Sequence, residues 1–532
     1  MAHALTNLLR LARAGLVLSE HGVRFVPKGT PVPWPLKLAS TATWPVRLVR
    51  APFRLGANRR DKDTRISSAL TRLGPSYIKL GQFLATRQDL IDADLARDLG
   101  VLRDRLPPFS MAEARASVTE ALGAPVDALF ESFGPPVAAA SIAQVHKAIV
   151  NEGGVKREVA VKILRPGVEK RFQRDLESFS YAAAQIERFA PAMRRLKPTA
   201  VVDTLARSVE LEMDLRLEAA AISEMTDNIV GDTGFRVPTV DWKRTAKRVL
   251  TMEWIDGTPM SDVAALKAAG FDLKELGNQA LQSFLRHAMR DGFFHADMHQ
   301  GNLFVDKVGT IVAVDFGIMG RLGSRERRFL AEILNGFINR DYLRAAHVHF
   351  WAGYVPPHHP VETFAQALRA VGEPIQGRPA EEISMAQLLG QLFAYTEVFD
   401  METRPELILL QKTMVAVEGV ARSLDPGLNM WTAAEPIVRD WMARELGVQG
   451  MLREAGEGAQ TVGKLLAEVP GLLSAAESTV RSLSTMAARG VRLDDETVAK
   501  MVAGQARASR GGRLALWVIA LALVWIVAWL WG

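Results

Sequence analysis

The chain has 532 residues, a net charge of +6 and no cysteine. Without cysteine it cannot form disulfides, thiolate zinc sites or cysteine-ligated iron–sulfur clusters, and it has no cysteine nucleophile. Hydrophobic residues make up 48% of the sequence and charged residues 23%. These values are ordinary for a folded protein that is long enough for several domains.

Residues 1–60 form a basic arm. They hold ten Lys or Arg residues against one acid, Glu20, so the arm carries +9 and the rest of the chain −3. Because aromatic and aliphatic residues are interspersed among the basic ones, the arm favours an anionic lipid surface over nucleic acid as its partner. Six prolines between Pro27 and Pro52 predict that helices in this arm are short.

Residues 61–125 are predicted to form a helical extension. Lys79 and Gln82 lie three residues apart within it and therefore share one face of a helix. Gly81 costs about 1 kcal/mol relative to Ala inside a helix, which indicates close backbone packing at this point. A solvated polar face is the simpler interpretation of the same pattern, and the pattern alone leaves both open.

Residues 126–257 have the character of a small β-rich lobe. An alanine-rich turn leads into a strand, and a further strand bears Lys162. In a kinase-like lobe such a turn covers the phosphates of a nucleotide, and the lysine contacts them. Alanine in place of glycine reduces the flexibility of the turn and predicts a tighter nucleotide lid. The predicted nucleotide-binding residues are Val137, Ala138, Ala139, Ala140, Ser141, Val145 and Lys162.

A helical segment rich in acidic residues follows. Glu218 is predicted to pair with Lys162, whereas Glu212 and Asp214 are predicted to meet Lys79 of the extension. A solvated, charged helix face is the alternative for all three acidic residues.

The apolar run from Val249 to Gly257 suits a hinge between two lobes, where backbone groups read the edge of an adenine ring. An ordinary sheet strand fits the same run equally well. The helical pattern over 260–294 then predicts one apolar face, formed by Leu281, Phe284, Leu285, Ala288 and Met289.

The stretch from His295 to Gly317 carries the strongest chemical signal. Asp297, Asn302 and Asp315 have the order and spacing that phosphoryl transfer needs, namely a proton acceptor followed by two ligands of Mg²⁺. Two apolar runs parted by a polar turn predict a short hairpin between the two ligands. A polar loop beside a buried hairpin, with no chemical role, is the alternative.

A rival interpretation takes His295, Asp297 and His299, at alternate positions, as ligands of a metal ion. No further His or Cys cluster in the sequence completes such a set.

After Gly317 the chain passes almost directly into a helical start at Arg325, and it has no Ala-Pro-Glu motif. Protein kinases hold a peptide on the long segment that is missing here, so a peptide substrate is disfavoured. Residues 325–505 are predicted to be mostly helical, with loops at 356–360 and 372–379.

Residues 514–531 form an uncharged, apolar run. As a helix it would be about 27 Å long, just enough to span hydrocarbon. Arg507, Arg510 and Arg513 precede it and favour a cytoplasmic location for everything upstream. We therefore expect a transmembrane anchor, joined to the folded part by an amphipathic helical linker over 451–510. A buried core helix is the alternative.

These motifs together resemble the UbiB family of atypical kinases over roughly residues 60–430. The motifs that carry the resemblance are Lys79–Gln82, Ala138–Ser141, Val159–Lys162, Glu212–Asp214 with Glu218, His295–Asp297 with Asn302, Asp315–Gly317 and Arg422–Pro426.

The resemblance implies an α+β, two-lobed, protein-kinase-like fold, with the N-terminal lobe over 126–257 and the C-terminal lobe over 258–450. It implies that the helical extension lies over the position of a peptide substrate. Lys79 and Gln82 would face the active site there, held by the acidic residues that match Glu212 and Asp214.

The resemblance also implies ATP and Mg²⁺ as cofactors. Lys162 would contact phosphate and Glu218 would orient it. Asp297 would accept a proton, and Asn302 and Asp315 would hold the metal ion.

The family is associated with ubiquinone biosynthesis and with ATPase activity rather than protein phosphorylation. The resemblance therefore implies a membrane-anchored, ATP-dependent enzyme at the bacterial inner membrane, with its catalytic domain on the cytoplasmic side. Its expected partners are anionic membrane lipids, ubiquinone precursors and other biosynthetic proteins, and not nucleic acid. A kinase of a small or lipid substrate and a nucleotide-binding scaffold without turnover are the two alternatives.

Overall fold

A computed structural model of the protein describes residues 2–20, 63–85, 99, 106–189, 194, 197–376, 395, 398–401 and 405–445. The chain separates into two units, Met1–Ala443 and Arg444–Gly532, and nearly all of the described residues belong to the first.

The described strands are β1 (Ser132–Ala139), β2 (Ala143–Glu152), β3 (Val155–Leu164), β4 (Phe235–Arg236), β5 (Val249–Glu253), β6 (Gly257–Pro259), β7 (Phe293–His295), β8 (Leu303–Asp306), β9 (Ile311–Ala313) and β10 (Met319–Arg321). The described helices are α1 (Ala2–Glu20), α2 (Asp63–Leu73), α3 (Pro75–Ala85), α4 (Met111–Leu122), α5 (Val126–Leu129), α6 (Val168–Phe189), α7 (Pro198–Glu212), α8 (Leu215–Asn228), α9 (Val263–Ala268), α10 (Leu273–Arg286), α11 (Ser324–Ile338), α12 (Tyr342–Trp351), α13 (Val361–Gln376), α14 (Pro405–Leu424) and α15 (Met430–Glu445).

The N-terminal lobe is built on an antiparallel sheet in the order β1-β2-β3-β5. Side chains alternate between the two faces of a strand. Val159, Val161 and Ile163 of β3 therefore share one face, where they are buried in an apolar cluster with residues of α4 and α5. The same alternation turns Lys162 toward the opposite face, away from this cluster.

The helical extension packs on α6. The ring of Tyr77 on α3 meets the ring of Phe179 on α6 edge-on, with the ring centroids 5.0 Å apart. Gly74 joins α2 to α3 with a φ of +106°, a left-handed conformation that favours glycine. Arg171 lies against Gly74 and donates to the Leu73 carbonyl at 2.9 Å.

The prediction of short helices in the basic arm is wrong for its first part, because α1 has 19 residues. It ends before Pro27, so the prolines do not constrain it. On α1, Ala14 is buried, and Arg10 donates to the Arg174 carbonyl of α6 at 3.1 Å.

The C-terminal lobe is mainly helical, with a sheet in the order β4-β9-β8-β6 and a two-stranded pair of β7 and β10. The hairpin predicted between the apolar runs is confirmed as β8 and β9. The predicted apolar face of α10 and the π-helical turn after it, His287–Asp291, is confirmed. Its five members are at most 1% exposed: Leu281, Phe284, Leu285, Ala288 and Met289.

Two loop predictions have different outcomes. Residues 356–360 lie between α12 and α13, as predicted. The prediction of a loop at 372–379 is wrong for residues 372–376, because α13 continues through Gly372 to Gln376. Gly372 lies against the ring of Tyr342, which leaves no room for a side chain. A packing requirement therefore accounts for this glycine, and a turn does not.

In the described part of the chain, no helix combines the length and the apolar character needed to cross a membrane. The predicted anchor at 514–531, the predicted linker at 451–510 and most of the basic arm lie outside the described residues.

Candidate active site

The hairpin of β8 and β9 brings Asn302 and Asp315 together. Leu303 pairs with Ala313 across the hairpin, and the backbone N–H of Val314 donates to the Asn302 carbonyl at 3.0 Å. Asn302 therefore lies opposite Val314, and Asp315 follows at the same open end of the hairpin. Antiparallel pairing thus places the two predicted metal ligands side by side.

The loop that carries Asp297 is fixed by hydrogen bonds. The Asp297 N–H donates to Nδ1 of His295 at 3.1 Å, and the Asp297 carbonyl accepts from Nδ2 of Asn302 at 3.1 Å. Since the amide nitrogen of Asn302 is used in this way, its amide oxygen is the atom that can bind a cation. The Asp297 side chain is 34% exposed, so a substrate can reach it.

His295 supports this loop as a buried, neutral residue. Burial lowers the pKa of His295, although the charges of Asp315 and Asp297 oppose the effect. Because Nδ1 accepts a hydrogen bond from the backbone, the ring proton belongs on Nε2. The ring also meets Phe316 edge-on at 5.1 Å. His295 therefore positions Asp297 and is not itself available as an acid or a base.

Lys162 on β3 lies between two carboxylates. Its Nζ donates to the two carboxylate oxygens of Glu218 at 2.7 and 2.9 Å and to Oδ1 of Asp315 at 3.3 Å. Oε1 of Glu218 also accepts from the backbone N–H of Phe316 at 3.4 Å. Glu218 on α8 thus holds both the lysine, as the sequence predicted, and the chain next to Asp315.

Charge explains the protonation of this cluster. Burial would lower the pKa of Lys162, but Asp315 and Glu218 outweigh it and raise that pKa. Burial would raise the pKa of Asp315, but Lys162 and the Gly317 N–H, at 3.0 Å, lower it. Burial raises the pKa of Glu218 against the opposing effect of Lys162. One ammonium faces two carboxylates, so the cluster favours a further cation.

The residues at the open end of the hairpin fit a Mg-nucleotide. Mg²⁺ prefers oxygen ligands, and in nucleotide sites one or two side chains hold it together with phosphates and water. The Asp315 carboxylate and the Asn302 amide oxygen are such ligands. Lys162 is the neighbouring cation that can contact phosphate.

The alanine-rich lid is a tight turn between β1 and β2. The Ala140 N–H donates to the Ala143 carbonyl at 2.8 Å, and Ser141 between them is fully buried. Arg165, directly after β3, donates to the Ala140 carbonyl from Nε at 3.0 Å and from Nη2 at 2.8 Å. Two hydrogen bonds from one guanidinium restrict the turn more than the alanines alone would.

The other predicted nucleotide-binding residues lie on the strands beside this turn. Ala138 and Ala139 end β1, and the Val137 side chain is exposed. Val145 of β2 is directly opposite Lys162 of β3, so the two side chains share one face of the sheet.

The segment before α4 is tied to the same lid. The Phe109 N–H donates to Oε1 of Gln144 at 2.9 Å, and Nε2 of Gln144 lies 2.8 Å from Nε2 of His146. Arg165 also donates to the Leu106 carbonyl at 3.3 Å. The extension therefore contacts Gln144, beside the alanine-rich turn, directly, and it reaches Ala140 of the turn through Arg165.

Arg165 and Gln144 were missed by the sequence analysis. Arg165 follows the Lys162 strand and precedes a Pro-Gly turn, which is a visible signal for a chain reversal. Its carbonyl partner is 25 residues away, and no local pattern identifies such a partner.

Lys79 of the extension forms a salt bridge with Glu212 at the end of α7. The two charged atoms are 2.5 Å apart, and both side chains are 13% exposed. Gln82 lies half-buried one turn further along α3. The prediction that Asp214 also meets Lys79 is wrong. Asp214 begins α8, accepts from the Arg216 N–H at 3.1 Å and pairs with the Arg216 guanidinium at 2.6 Å.

The rival metal set of His295, Asp297 and His299 does not assemble. Among the described residues, these three form no group of converging metal-binding atoms. Nδ1 of His299 instead accepts from the Gly301 N–H at 3.0 Å.

Family models match two parts of the chain. Residues 101–349 match the ABC1 atypical kinase-like domain, and residues 368–429 match the UbiB helical domain. The first match contains every predicted catalytic and metal-binding residue, and the second contains the helix that carries the Arg422 motif.

Curated relatives match most of the chain. A protein of Marinobacter nauticus named probable protein kinase UbiB is 37% identical over 525 residues, which cover 97% of this chain and 93% of that protein. Proteins of the same name are 38% identical in Aeromonas hydrophila, over 87% of this chain and 84% of that protein, and 39% identical in Xanthomonas euvesicatoria, over 85% and 81%. A solved structure of a Mycobacterium tuberculosis protein with erythromycin is 24% identical, with a TM-score of 0.47, and the match covers 75% of this chain and 97% of that one.

Proposed function

The chain belongs to the UbiB family of atypical kinase-like proteins, and on that premise we propose that it is a membrane-anchored ATPase that supports ubiquinone biosynthesis. It would use Mg-ATP to handle lipid precursors or to organise the other biosynthetic proteins. The observation that carries the proposal is the contact of Lys162 with both Glu218 and Asp315. This contact joins the N-terminal sheet to the metal-binding end of the hairpin, which is the arrangement that phosphoryl transfer requires.

The positions of the atoms support a proposed role for each residue. An ammonium group has three donors. Nζ of Lys162 donates to the two carboxylate oxygens of Glu218 and to Oδ1 of Asp315. The N–H that now points to Asp315 is the one that would donate to a phosphate oxygen. Asn302 and Asp315 would hold Mg²⁺, which neutralises phosphate charge when it is bound. The partly exposed carboxylate of Asp297 would accept the proton of the attacking water or hydroxyl.

A peptide substrate fits this site poorly. Between Gly317 and the start of α11 at Ser324 the chain forms only the short strand β10. Protein kinases use a much longer segment at this point to hold a peptide. Water, or the hydroxyl of a small molecule or lipid, is therefore the acceptor that we propose.

A kinase of a small or lipid substrate is the second candidate. The 34% exposure of the Asp297 side chain supports it, because a hydroxyl could reach the carboxylate as easily as water could. A scaffold that binds nucleotide without turnover is less well supported, because Lys162, Asp297, Asn302 and Asp315 are all present.

The membrane part of the proposal rests on the sequence. The apolar run at 514–531 has the length of a spanning helix, and the basic arm would bind anionic lipid at the cytoplasmic face of the bacterial inner membrane. We expect anionic lipid to raise the rate of turnover. An equal rate with and without anionic lipid would contradict this part of the proposal.

The test follows the γ-phosphate of labelled Mg-ATP. The purified full-length chain is placed on anionic liposomes that contain a phenolic isoprenoid precursor, and label is measured in free phosphate and in lipid. The ATPase proposal predicts label in free phosphate. Label in the lipid would contradict the ATPase proposal and support a lipid kinase. Nucleotide binding without transfer or release of the label would contradict both.

A further inference from the structure

Three side chains converge in the helical part of the C-terminal lobe, outside the residues assigned to the active site. Nε2 of His359 lies 3.3 Å from Oδ2 of Asp400, and Nε2 of His358 lies 3.6 Å from the same oxygen. One metal-binding atom from each residue lies within 4.8 Å of the other two. Within the described ranges, no other group of three or more His, Cys, Asp or Glu side chains converges in this way.

We propose that His358, His359 and Asp400 bind a divalent transition-metal ion, with Zn²⁺ as the reference ion. Two ligand atoms that are each ~2.1 Å from a tetrahedral ion are ~3.4 Å apart. The separations of 3.3 and 3.6 Å match that spacing. Two imidazoles and one carboxylate suit Zn²⁺ and leave the fourth position to water, whereas Mg²⁺ and Ca²⁺ prefer oxygen ligands alone.

The two segments that carry these ligands are held in place by packing. Phe399 is 5% exposed, and its ring lies edge-on to Phe364 at 5.0 Å and to His359 at 5.3 Å. The His359 N–H donates to the Pro356 carbonyl at 3.3 Å, which closes a turn in the loop between α12 and α13. Both segments therefore rest on one apolar cluster, and the ligands are positioned before an ion arrives.

The backbone of Asp400 has a left-handed conformation, with a φ of +48°. Asp and Asn adopt this conformation more readily than most other residues, so an Asn variant can keep it.

An ion pair alone does not account for the arrangement. The side chains of His358 and Asp400 are 63% and 68% exposed. Exposed ion pairs contribute little to stability. A hydrogen bond from Nε2 of His359 to Oδ2 of Asp400, at 3.3 Å, accounts for one imidazole, but at 3.6 Å His358 is too far from the same oxygen for a second. A metal ion would use both imidazoles, whose ring centroids are 4.1 Å apart, together with the carboxylate.

A metal ion at this site would join the α12–α13 loop to the segment that precedes α14. Helix α14 in turn contacts the loop that carries Asp297, because Thr413 donates to the Ala296 carbonyl at 3.0 Å and Ser423 accepts from Gln300 at 2.6 Å. We therefore expect an ion at this site to affect the stability of the helical part of the lobe.

Zinc binding to the chelator-treated full-length chain tests the proposal, by competition with a chromogenic chelator. Saturating Mg-ADP is present, so that the nucleotide site does not compete for Zn²⁺. We expect one Zn²⁺ per chain, with an affinity that falls about 10-fold or more in His358→Ala and in Asp400→Asn. Asparagine tolerates the left-handed backbone, so the second variant removes the charge and keeps the conformation.

His347→Ala is the matched control, because His347 is another histidine of the same region that stacks on Trp351 outside the cluster. Zn²⁺ should raise the melting temperature of the wild type and of this control, and leave that of His358→Ala and Asp400→Asn unchanged. Absence of zinc binding in the wild type would overturn the proposal, as would equal binding by the wild type and the two variants. Neither readout depends on ATP turnover, so the proposed function can fail separately.

Discussion

Lys162 and Glu218 are joined by two hydrogen bonds, at 2.7 and 2.9 Å, between a central strand of the N-terminal sheet and the helix packed beside it. The Lys162 ammonium is at the same time 3.3 Å from Asp315. Glu218 and Asp315 therefore share the charge of Lys162, and we expect Glu218 to keep the lysine from pairing fully with Asp315, the proposed metal ligand.

Glu218→Gln tests this division of charge. Glutamine keeps the shape but not the charge, so we expect Lys162 to move toward Asp315 and kcat/KM for Mg-ATP to fall about 10- to 100-fold. The measurement is steady-state phosphate release. Glu224→Gln is the control, since Glu224 is on the same helix and pairs with Arg321 at the surface. Equal rates for Glu218→Gln and the wild type would contradict the assigned role.

Arg165→Ala tests the clamp on the nucleotide lid. Without the guanidinium, the Ala140 carbonyl loses its two donors, and the turn must be ordered when the nucleotide binds. We expect the Kd for Mg-ADP to rise about 10-fold, measured by calorimetry. Arg157→Ala is the control, because Arg157 lies near the other end of β3 with its side chain 45% exposed, and it pairs with Glu152 and Asp241. An unchanged Kd for Arg165→Ala would show that the lid does not depend on this clamp.

The salt bridge of Lys79 with Glu212 is expected to hold the extension on α7. Removing one partner of a largely buried pair leaves the other charge uncompensated. We expect Lys79→Met to lower stability by about 1–3 kcal/mol, since both side chains keep some exposure. Thermal unfolding measures the effect. The double variant Lys79→Met with Glu212→Gln should recover part of the loss, and strictly additive losses would argue against a direct interaction.

Glu418 on α14 predicts a pH dependence of stability. Burial raises the pKa of Glu418 from 4.5 to about 7, against the opposing effect of Arg422, whose guanidinium is 3.3 Å away. The folded state therefore binds this proton more tightly than the unfolded state does. The stability that the proton contributes is fully present below pH 4.5 and is lost as the pH rises to about 7.

Glu418→Gln removes this titration. We expect the variant to be more stable than the wild type by about 1 kcal/mol at pH 8, and the advantage to shrink toward pH 5. Melting temperatures at the two pH values measure the difference. A variant that is less stable than the wild type at pH 8 would show that the Arg422 contact outweighs the cost of burial.

The parts of the site that were predictable from the sequence are those that local patterns determine. The polar turn between two apolar runs specifies the β8–β9 hairpin, and antiparallel pairing then places Asn302 beside Asp315. The partnership of Lys162 and Glu218 spans 56 residues, and it was predictable through the family motifs and not from spacing.

The parts that were not predictable depend on competition between contacts. Asp214 could have met Lys79, but the start of α8 offers an unpaired N–H and a nearby arginine, and these local partners take its carboxylate. Gly372 has the composition of a turn residue, but the ring of Tyr342 requires its lack of a side chain inside a helix. The first outcome is a choice between a local and a distant partner, and the second depends on a ring in the preceding helix, so neither follows from the sequence pattern alone.

The central claim is that Asp297 is the proton acceptor of an enzyme that turns over ATP. The direct test is single-turnover release of phosphate from Mg-ATP by the wild type and by Asp297→Asn on anionic liposomes, with nucleotide affinity measured in parallel. Asp256→Asn is the control, because Asp256 is an exposed carboxylate that pairs with Lys307.

Asparagine keeps the shape and the backbone contact with Asn302 but cannot accept the proton. We predict that Asp297→Asn binds Mg-ATP as the wild type does. Its rate of phosphate release should be lower than that of the wild type by about 10²-fold or more. A wild-type rate in Asp297→Asn would contradict the role of this carboxylate. Nucleotide binding without phosphate release by the wild type would contradict the ATPase itself.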